Sequence, residues 1–187
     1  MKFIGTELLG VTVVDPDVFR DDRGFFLESW RADKYAAGGI DVTFVQNNHS
    51  RSTRGTIRGL HAQRMHPQGK LVRVLAGAVL DVVVDIRRGS PTWLKWIAVE
   101  LSAENFRQIY VPGGYAHGIC VTSEVADLEY LCTDFYDPAD ELRIKWNDPQ
   151  IGVRWPVAEA ILSGKDRDAA ALQDQMDQLP VWREPVK

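Results

Sequence analysis

Short apolar segments, in which apolar and polar residues alternate between turn residues, limit this chain to a β-rich fold. Within residues 79–86, Leu80, Val82 and Val84 lie on one face of a strand, whereas Asp81 and Asp85 lie on the other. Similar segments predict further strands at about residues 11–14, 71–75, 97–101, 107–111, 118–122 and 127–133. Regularly spaced short strands with turns between them are typical of a β-sandwich or a β-barrel.

Helical patterns are confined to two regions of the chain. Residues 31–40 form the only early helix candidate, which Gly38 and Gly39 would end. Residues 157–178 are rich in Ala, Leu, Gln and Asp and predict short helical pieces. A length of 187 residues suits one domain. We therefore expect a single domain over residues 1–187, with a barrel at about 10–155 and a helical tail at about 157–187.

The composition argues against several classes of protein. The net charge of −4 and the isoelectric point near 5.6 give no support to general nucleic-acid binding. No apolar run approaches the ~18 residues of a membrane helix, and Glu7 interrupts the N-terminus before a signal-peptide core could form. Cys120 and Cys132 lie in apolar runs without C-x-x-C spacing, which indicates buried thiols in a reducing compartment. We expect a cytoplasmic protein that binds neither membranes nor nucleic acids.

Three basic residues near the middle of the chain are the first candidates for chemistry. His61 lies three residues after Arg58 and nine residues before Lys70. A neutral imidazole can accept a proton near neutral pH, and an ammonium group can stabilise an enolate or a phosphate oxygen. A guanidinium group can bind phosphate through two hydrogen bonds. This cationic neighbourhood favours a site for a negatively charged ligand over a structural histidine.

A second histidine, His117, follows a glycine-rich turn in a segment that fits the second half of the cupin metal motif. The first half of that motif would supply two histidines two positions apart, and a glutamate at a fixed spacing before a glycine. Here Lys70 takes the glutamate position before Gly77, and His61 has no histidine two positions on. Because a cation replaces a carboxylate ligand, we expect no metal. A metal-dependent cupin enzyme stays an alternative.

Tyr130 and Asp166 each have an ordinary and a functional interpretation. Tyr130 shares a strand face with Leu128 and Cys132, so it is either a core tyrosine or a phenol that donates a proton inside a barrel. Asp166 matters for chemistry only if the tail folds back, so that its carboxylate meets His61 and orients the ring.

Eight motifs follow one another along the chain: Asp22–Glu28, Val45–Ser50, Ile57–His61, Gln68–Val74, Asp81–Thr92, Val99–Ser102, Val111–Gly118 and Cys132–Asp134. In this order they resemble the dTDP-4-dehydrorhamnose 3,5-epimerases, which are cupin-like enzymes of deoxysugar biosynthesis. The resemblance extends from about Gly10 to Asp166. It implies a mainly β, cupin-like jelly-roll barrel with short helices, mostly near the C-terminus.

The resemblance also implies roles for individual residues. His61 would be the base, Tyr130 the acid on the opposite face of the sugar, and Lys70 the group that stabilises the enolate, while Asp166 would pair with His61. The implied contacts to substrate and nucleotide are Arg23, Glu28, Gln46, Asn48, Arg58, His117, Glu141 and Lys165, and Phe26 is a candidate for stacking on the nucleobase. The strand at 23–28 would reach into the partner subunit's site, which implies a homodimer. The family uses neither a metal nor another cofactor.

The implied function is inversion of C3 and C5 in a dTDP-linked 4-keto-6-deoxyhexose, in rhamnose biosynthesis. Two departures lie beside the base: Ala62 stands where the family commonly has an aromatic residue, and the loop at 64–67 is compact. They leave open a 3-epimerase, or an epimerase of another nucleotide-linked keto sugar. A non-catalytic sugar-nucleotide binding barrel is a more remote alternative.

Overall fold

The computed structural model describes residues 1–184, which contain thirteen strands and three short helices. The strands are β1 (Lys2–Gly5), β2 (Thr12–Asp15), β3 (Val18–Asp21), β4 (Gly24–Leu27), β5 (Gln46–Thr53), β6 (Ile57–Gln63), β7 (Lys70–Ala76), β8 (Ala78–Asp85), β9 (Trp96–Ser102), β10 (Gln108–Val111), β11 (Tyr115–Val121), β12 (Val125–Cys132) and β13 (Glu141–Arg143). The helices are α1 (Ala32–Ala37), α2 (Gly164–Arg167) and a 3-10 helix (Leu172–Gln178).

Two antiparallel sheets and a separate hairpin hold these strands. The six-stranded sheet has the order β1-β2-β10-β7-β12-β5, and the five-stranded sheet has the order β13-β6-β11-β8-β9. Strands β3 and β4 pair only with each other among the described residues. The arrangement confirms the prediction of a β-sandwich or barrel.

The main core lies between the two sheets. Val72, Ile109 and Leu128 from the six-stranded sheet pack with Val83 and Ile119 from the five-stranded sheet. Each of these side chains is nearly or fully buried. Burial of this apolar area stabilises the facing sheets by roughly 25 cal/mol per Å².

A second apolar cluster covers the outer face of the five-stranded sheet. Leu60, Val82 and Val84 pack there against Leu172 and Leu179 of the tail. Both faces of β8 are therefore buried, which the alternation of apolar and acidic residues does not predict. The two acidic residues of the inner face, Asp81 and Asp85, are fully buried and are satisfied by hydrogen bonds from neighbouring side chains.

The predicted elements are largely present, and the differences have physical causes. The seven predicted strands match β2, β7, β8, β9, β10, β11 and β12 within a few residues, and the predicted early helix is α1. Strands β1, β3, β5, β6 and β13 were not predicted, and β4 lies within the strand at 23–28 that the resemblance implies. Strand β5 carries mainly polar side chains because it is an edge strand that pairs only with β12 among the described residues, and Gly59 interrupts the apolar pattern of β6.

The tail is less helical than its composition predicts. Among the described residues of the tail, helical structure is limited to α2 and the 3-10 helix. Isolated bridges join the rest of the tail to the barrel, such as that between Ile144 and Ala170. Residues 185–187 of the predicted tail lie outside the described residues. Cys120 and Cys132 are buried and free, as predicted. In the described part of the chain, no helix has the length and apolar character that crossing a membrane requires.

Strands β6 and β11 approach each other unusually closely at Gly59 and Gly118. Gly59 has a φ of +132°, and a Cβ on it would lie 2.6 Å from Gly118 Cα and 2.8 Å from the carbonyl oxygen of His117. The register of the two strands shifts at the same place, between His117 and Ile119. The positive φ and the close approach of the two strands both require glycine at position 59.

We therefore predict that Gly59→Ala destabilises the protein by about 3 kcal/mol or more, because the new methyl group meets backbone atoms and the φ is strained. Gly5→Ala is the matched control, since a Cβ there would meet nothing within 4 Å. Urea unfolding of both variants at one protein concentration measures the difference. Equal free energies of unfolding for the two variants would contradict the prediction.

Candidate active site

A cavity of about 570 Å³ opens between the two sheets. Ten of the side chains that the sequence singled out line it: Gln46, Asn48, Arg58, His61, Lys70, His117, Tyr130, Glu141, Lys165 and Asp166. They come from β5, β6, β7, β11, β12, β13 and α2. A cavity of this size falls in the range of small-molecule sites.

His61 is held by a buried carboxylate. Its Nε2 lies 2.5 Å from Asp166 Oδ1, and the Asp166 side chain is only 5% exposed. An ionised carboxylate accepts a hydrogen bond, so Nε2 carries a proton, and Nδ1 of the neutral ring would keep its lone pair. The contact fixes the orientation of the imidazole, whose neutral form has the chemistry of a base.

The tail does fold back, and main-chain hydrogen bonds hold it in place. The Ile57 N–H donates to the carbonyl oxygen of Ile161 at 3.0 Å, and the Ile161 N–H donates to the carbonyl oxygen of Gly55 at 2.9 Å. Ser163 then caps α2 by accepting from the Asp166 N–H at 3.1 Å, and its hydroxyl donates to Asp166 Oδ2 at 2.8 Å. These contacts bring the Asp166 carboxylate next to His61 of β6.

The Asp166 carboxyl is kept ionised by its partners. Burial alone would raise its pKa, but the hydrogen bond and charge of His61, with hydrogen bonds from Ser163 and the Gly59 backbone, lower the pKa below its usual value. Asp166 therefore stays a hydrogen-bond acceptor at neutral pH.

A second histidine–carboxylate pair lies beside the first. His117 pairs directly with His61 across strands β11 and β6. Its Nε2 lies 2.9 and 2.8 Å from the two oxygens of Asp81, which is fully buried. His117 thus presents a ring of fixed orientation to the cavity next to His61.

Lys70 brings a cation into the cavity from the opposite sheet. It opens β7 and pairs with Cys132 of β12 and Val111 of β10. Within residues 1–184 its ammonium group makes no hydrogen bond or ion pair, so its donors are available to a ligand. Burial lowers the pKa of Lys70, and the nearby Cys132, Glu141 and Asp81 partly oppose this shift.

Tyr130 faces the cavity from the same sheet as Lys70. It lies on β12, whereas His61 and His117 lie on strands of the five-stranded sheet. Burial raises the pKa of Tyr130, although the charge of Arg58 lowers it in part. The phenol therefore stays protonated at neutral pH, and a ligand between the sheets would have the imidazole on one side and the phenol on the other.

The sequence of this chain also matches known proteins along nearly its whole length. The profile of one protein family, described as dTDP-4-dehydrorhamnose 3,5-epimerase, matches residues 5–174. The dTDP-4-dehydrorhamnose 3,5-epimerase of Pseudomonas aeruginosa is 50% identical over 176 residues, which cover 93% of this chain and 97% of that protein. The chain belongs to the dTDP-4-dehydrorhamnose 3,5-epimerase family.

Other members of this epimerase family extend the comparison. The dTDP-4-dehydrorhamnose 3,5-epimerase of Neisseria gonorrhoeae is 50% identical over 167 residues, and this chain, 89% of which is matched, spans about half (51%) of that protein's length. The crystal structure of dTDP-6-deoxy-D-glucose-3,5-epimerase from Legionella pneumophila, in complex with dTDP-4-keto-L-rhamnose, has a TM-score of 0.94 and 46% identity. That match covers 98% of this chain and 99% of the other. The predicted mainly β, cupin-like fold is confirmed.

Three residues that the family resemblance singled out lie away from this cavity. Arg23 and Phe26 belong to the β3–β4 hairpin, where Phe26 is 69% exposed and Arg23 pairs with Asp21. Glu28 forms an ion pair with Lys34 at 2.7 Å. The fold of the described chain does not bring these three residues to the cavity that His61 lines.

Several residues of the site were not predicted from the sequence. Asp81 was seen only as the polar side of a strand, and its partnership with His117 depends on the register of β8 with β11. Ser163 precedes Asp166 by three residues, which is the spacing of a capping motif and could have been recognised. Tyr136 and Gln63 also line the cavity, and no sequence pattern distinguished them from ordinary loop and strand residues.

Proposed function

We propose that this member of the family inverts C3 and C5 of dTDP-4-dehydro-6-deoxyglucose and so forms dTDP-4-dehydrorhamnose. The chain is an epimerase, and it acts on a nucleotide-linked sugar. The observation that carries the proposal is the placement of His61, oriented by Asp166, and Tyr130 on facing sheets of one cavity that also holds Lys70.

The proposed reaction proceeds by proton transfer through an enolate. The C4 carbonyl acidifies the hydrogens on C3 and C5, because loss of either gives a conjugated enolate. His61 takes a proton from one face of the carbon, and Tyr130 returns a proton to the other face, which inverts the centre. Lys70 stabilises the negative charge on the C4 oxygen. Each inversion removes one proton and adds one, so the substrate is neither oxidised nor reduced.

The remaining lining residues are proposed to hold the nucleotide sugar. Arg58 and Lys165 supply cations for the diphosphate, and Gln46 and Asn48 supply amides at the same cavity. His117 and Glu141 offer further hydrogen-bond partners to the sugar hydroxyl groups. Arg58 lines the cavity, and its guanidinium donates to the Ser52 hydroxyl at 2.9 Å, which holds the side chain against β5.

The proposed assembly is a homodimer in which the β3–β4 hairpin of one subunit completes the site of the other. The hairpin supports this proposal because it lies outside both sheets and exposes Phe19, Phe25 and Phe26. Strand β5 supports it as well, because it is an edge strand that carries Gln46 and Asn48 of the cavity. Arg23 and Phe26 would then contact the partner's bound nucleotide.

The proposed function predicts solvent exchange that depends on two different residues. In D2O the enzyme should convert dTDP-4-dehydro-6-deoxyglucose with deuterium incorporated at C3 and C5. Tyr130→Phe should keep a substantial part of this exchange but lower inversion by about 10²–10⁴-fold, because only reprotonation needs the phenol. NMR reads the labelled positions and the product sugar.

Tyr110→Phe is the control for the loss of a buried hydroxyl group. Tyr110 is 8% exposed and does not line the cavity, so inversion should be unchanged. Label at C3 alone would show a 3-epimerase instead. Absence of any exchange by the unmodified enzyme would contradict the proposed function.

A further inference from the structure

Two loops meet at the mouth of the cavity. The first, here called the base loop, is Arg64–Pro67, which lies between β6 with its base His61 and β7 with Lys70. The second, here called the mouth loop, is residues 134–140, which connect β12 with β13. Gln63 and Gln68 flank the base loop and line the cavity. Tyr136 of the mouth loop and Glu141, which follows that loop, line it as well.

Asp140 of the mouth loop binds the base loop directly. Its carboxylate accepts the Met65 N–H at 2.9 and 3.0 Å and the His66 N–H at 2.9 Å. Arg64 Nε lies 3.8 Å from the same carboxylate, and an Arg64 guanidinium N–H donates to the carbonyl oxygen of Ala139 at 2.9 Å. Asp140 is only 5% exposed, so its charge is satisfied almost entirely by the base loop.

Gln63 forms a second link between the same loops. Its amide nitrogen donates to the carbonyl oxygens of His66 at 3.0 Å and Phe135 at 3.4 Å, and its amide oxygen accepts the Asp137 N–H at 2.9 Å. Gln63 lies two positions after His61 in β6, and its side chain is buried. The link therefore connects the strand of the base to the mouth loop that carries Tyr136.

Asp140 does not line the cavity, so it can affect a ligand only through the position of other residues. Surface loops without such links fluctuate, and a ligand that orders them loses part of its binding free energy. A buried carboxylate that holds the N–H groups of two successive residues of the opposing loop removes this cost before the ligand arrives.

We infer that Asp140 is a positioning residue, which clasps the base loop to the mouth loop and keeps the cavity preorganised for the nucleotide-linked sugar. This inference rests on the proposed function for the identity of the ligand. The clasp holds Gln63 and Gln68 at a set distance from Tyr136 and Glu141 without contacting the reacting carbons. Its loss weakens binding and leaves the proton transfers at saturation intact.

Steady-state kinetics of Asp140→Ala test the inference. The KM for dTDP-4-dehydro-6-deoxyglucose should rise about tenfold, as expected for a loss of ~1.4 kcal/mol of binding free energy. The dissociation constant for dTDP, from calorimetric titration, should rise in parallel, while kcat should stay within about twofold. A role in folding alone would lower the amount of active enzyme and leave KM unchanged. Asp140→Asn keeps one acceptor oxygen and should give a smaller rise, which provides a readout if the alanine variant does not fold.

Asp137→Asn is the matched control. Asp137 lies in the same mouth loop, but its carboxylate accepts only the local Ala139 N–H and does not contact the base loop. An unchanged KM and dTDP affinity in folded Asp140→Ala, or an equal rise in Asp137→Asn, would overturn the inference. If the unmodified enzyme binds dTDP but does not turn over the sugar, the proposed function fails and the dTDP titration still tests the clasp. If it does not bind dTDP, both fail.

Discussion

His61→Ala is expected to lower turnover by about 10²–10⁴-fold and to abolish deuterium incorporation at both carbons. The reason is geometric as well as chemical. The imidazole is oriented by Asp166 at 2.5 Å, and it lies on one sheet of the cavity, opposite Tyr130. His117, which also lines the cavity, lies at the neighbouring position on β11 and is bound to a different carboxylate, that of Asp81. Both proton abstractions should therefore fail together.

Deuterium exchange monitored by NMR, with substrate in excess, separates this result from a loss of binding. His49→Ala is the control, because the His49 side chain is 58% exposed and does not line the cavity. The control should exchange at the rate of the unmodified enzyme. Full exchange at C3 and C5 in His61→Ala would show that another residue is the base, and the assignment would then pass to His117 with Asp81.

Much of the barrel could be predicted from the sequence because its central strands have strong local signals. Strand β8 carries apolar residues on one face and Asp81 and Asp85 on the other, and turns at both ends limit its length. Strands β5 and β6 gave weaker signals, since one is polar and the other contains Gly59. A strand is stabilised by its cross-strand neighbours, and a sequence window does not contain those neighbours.

The residues of the candidate site were likewise predicted only in part. His61 and Lys70 lie in motifs with an evident chemical character, and the fold places both at one cavity. The meeting of Asp166 with His61 depends on the bridge between Thr56 and Ile161, which is set by tertiary packing of the tail. The buried Asp81 could not be predicted, because alternation assigns a residue to a face but does not say whether that face is covered.

Lys70→Met is expected to lower kcat by about 10²–10³-fold, because it removes a preorganised cation from the proposed position of the enolate oxygen. Methionine keeps the unbranched apolar part of the side chain, so the barrel should keep its stability. The variant should also lose deuterium exchange, since the enolate itself is destabilised. This outcome distinguishes Lys70 from Tyr130, whose loss should spare exchange. Lys95→Met, at an exposed turn outside the cavity, should leave kcat unchanged.

The pH dependence of kcat gives an independent test of the same role. Burial lowers the pKa of Lys70 below its usual value of 10.5, so the stabilising charge is present at low pH and is lost as the pH rises through the lowered pKa. The unmodified enzyme should therefore lose activity at a more acidic pH than an ordinary lysine would cause. In Lys70→Arg the guanidinium stays charged throughout this range. The remaining activity of this variant should therefore not fall over the pH range in which Lys70 loses its charge. If the activity of Lys70→Arg falls over the same pH range as that of the unmodified enzyme, the titration belongs to a different group, such as the Tyr130 phenol, and not to Lys70.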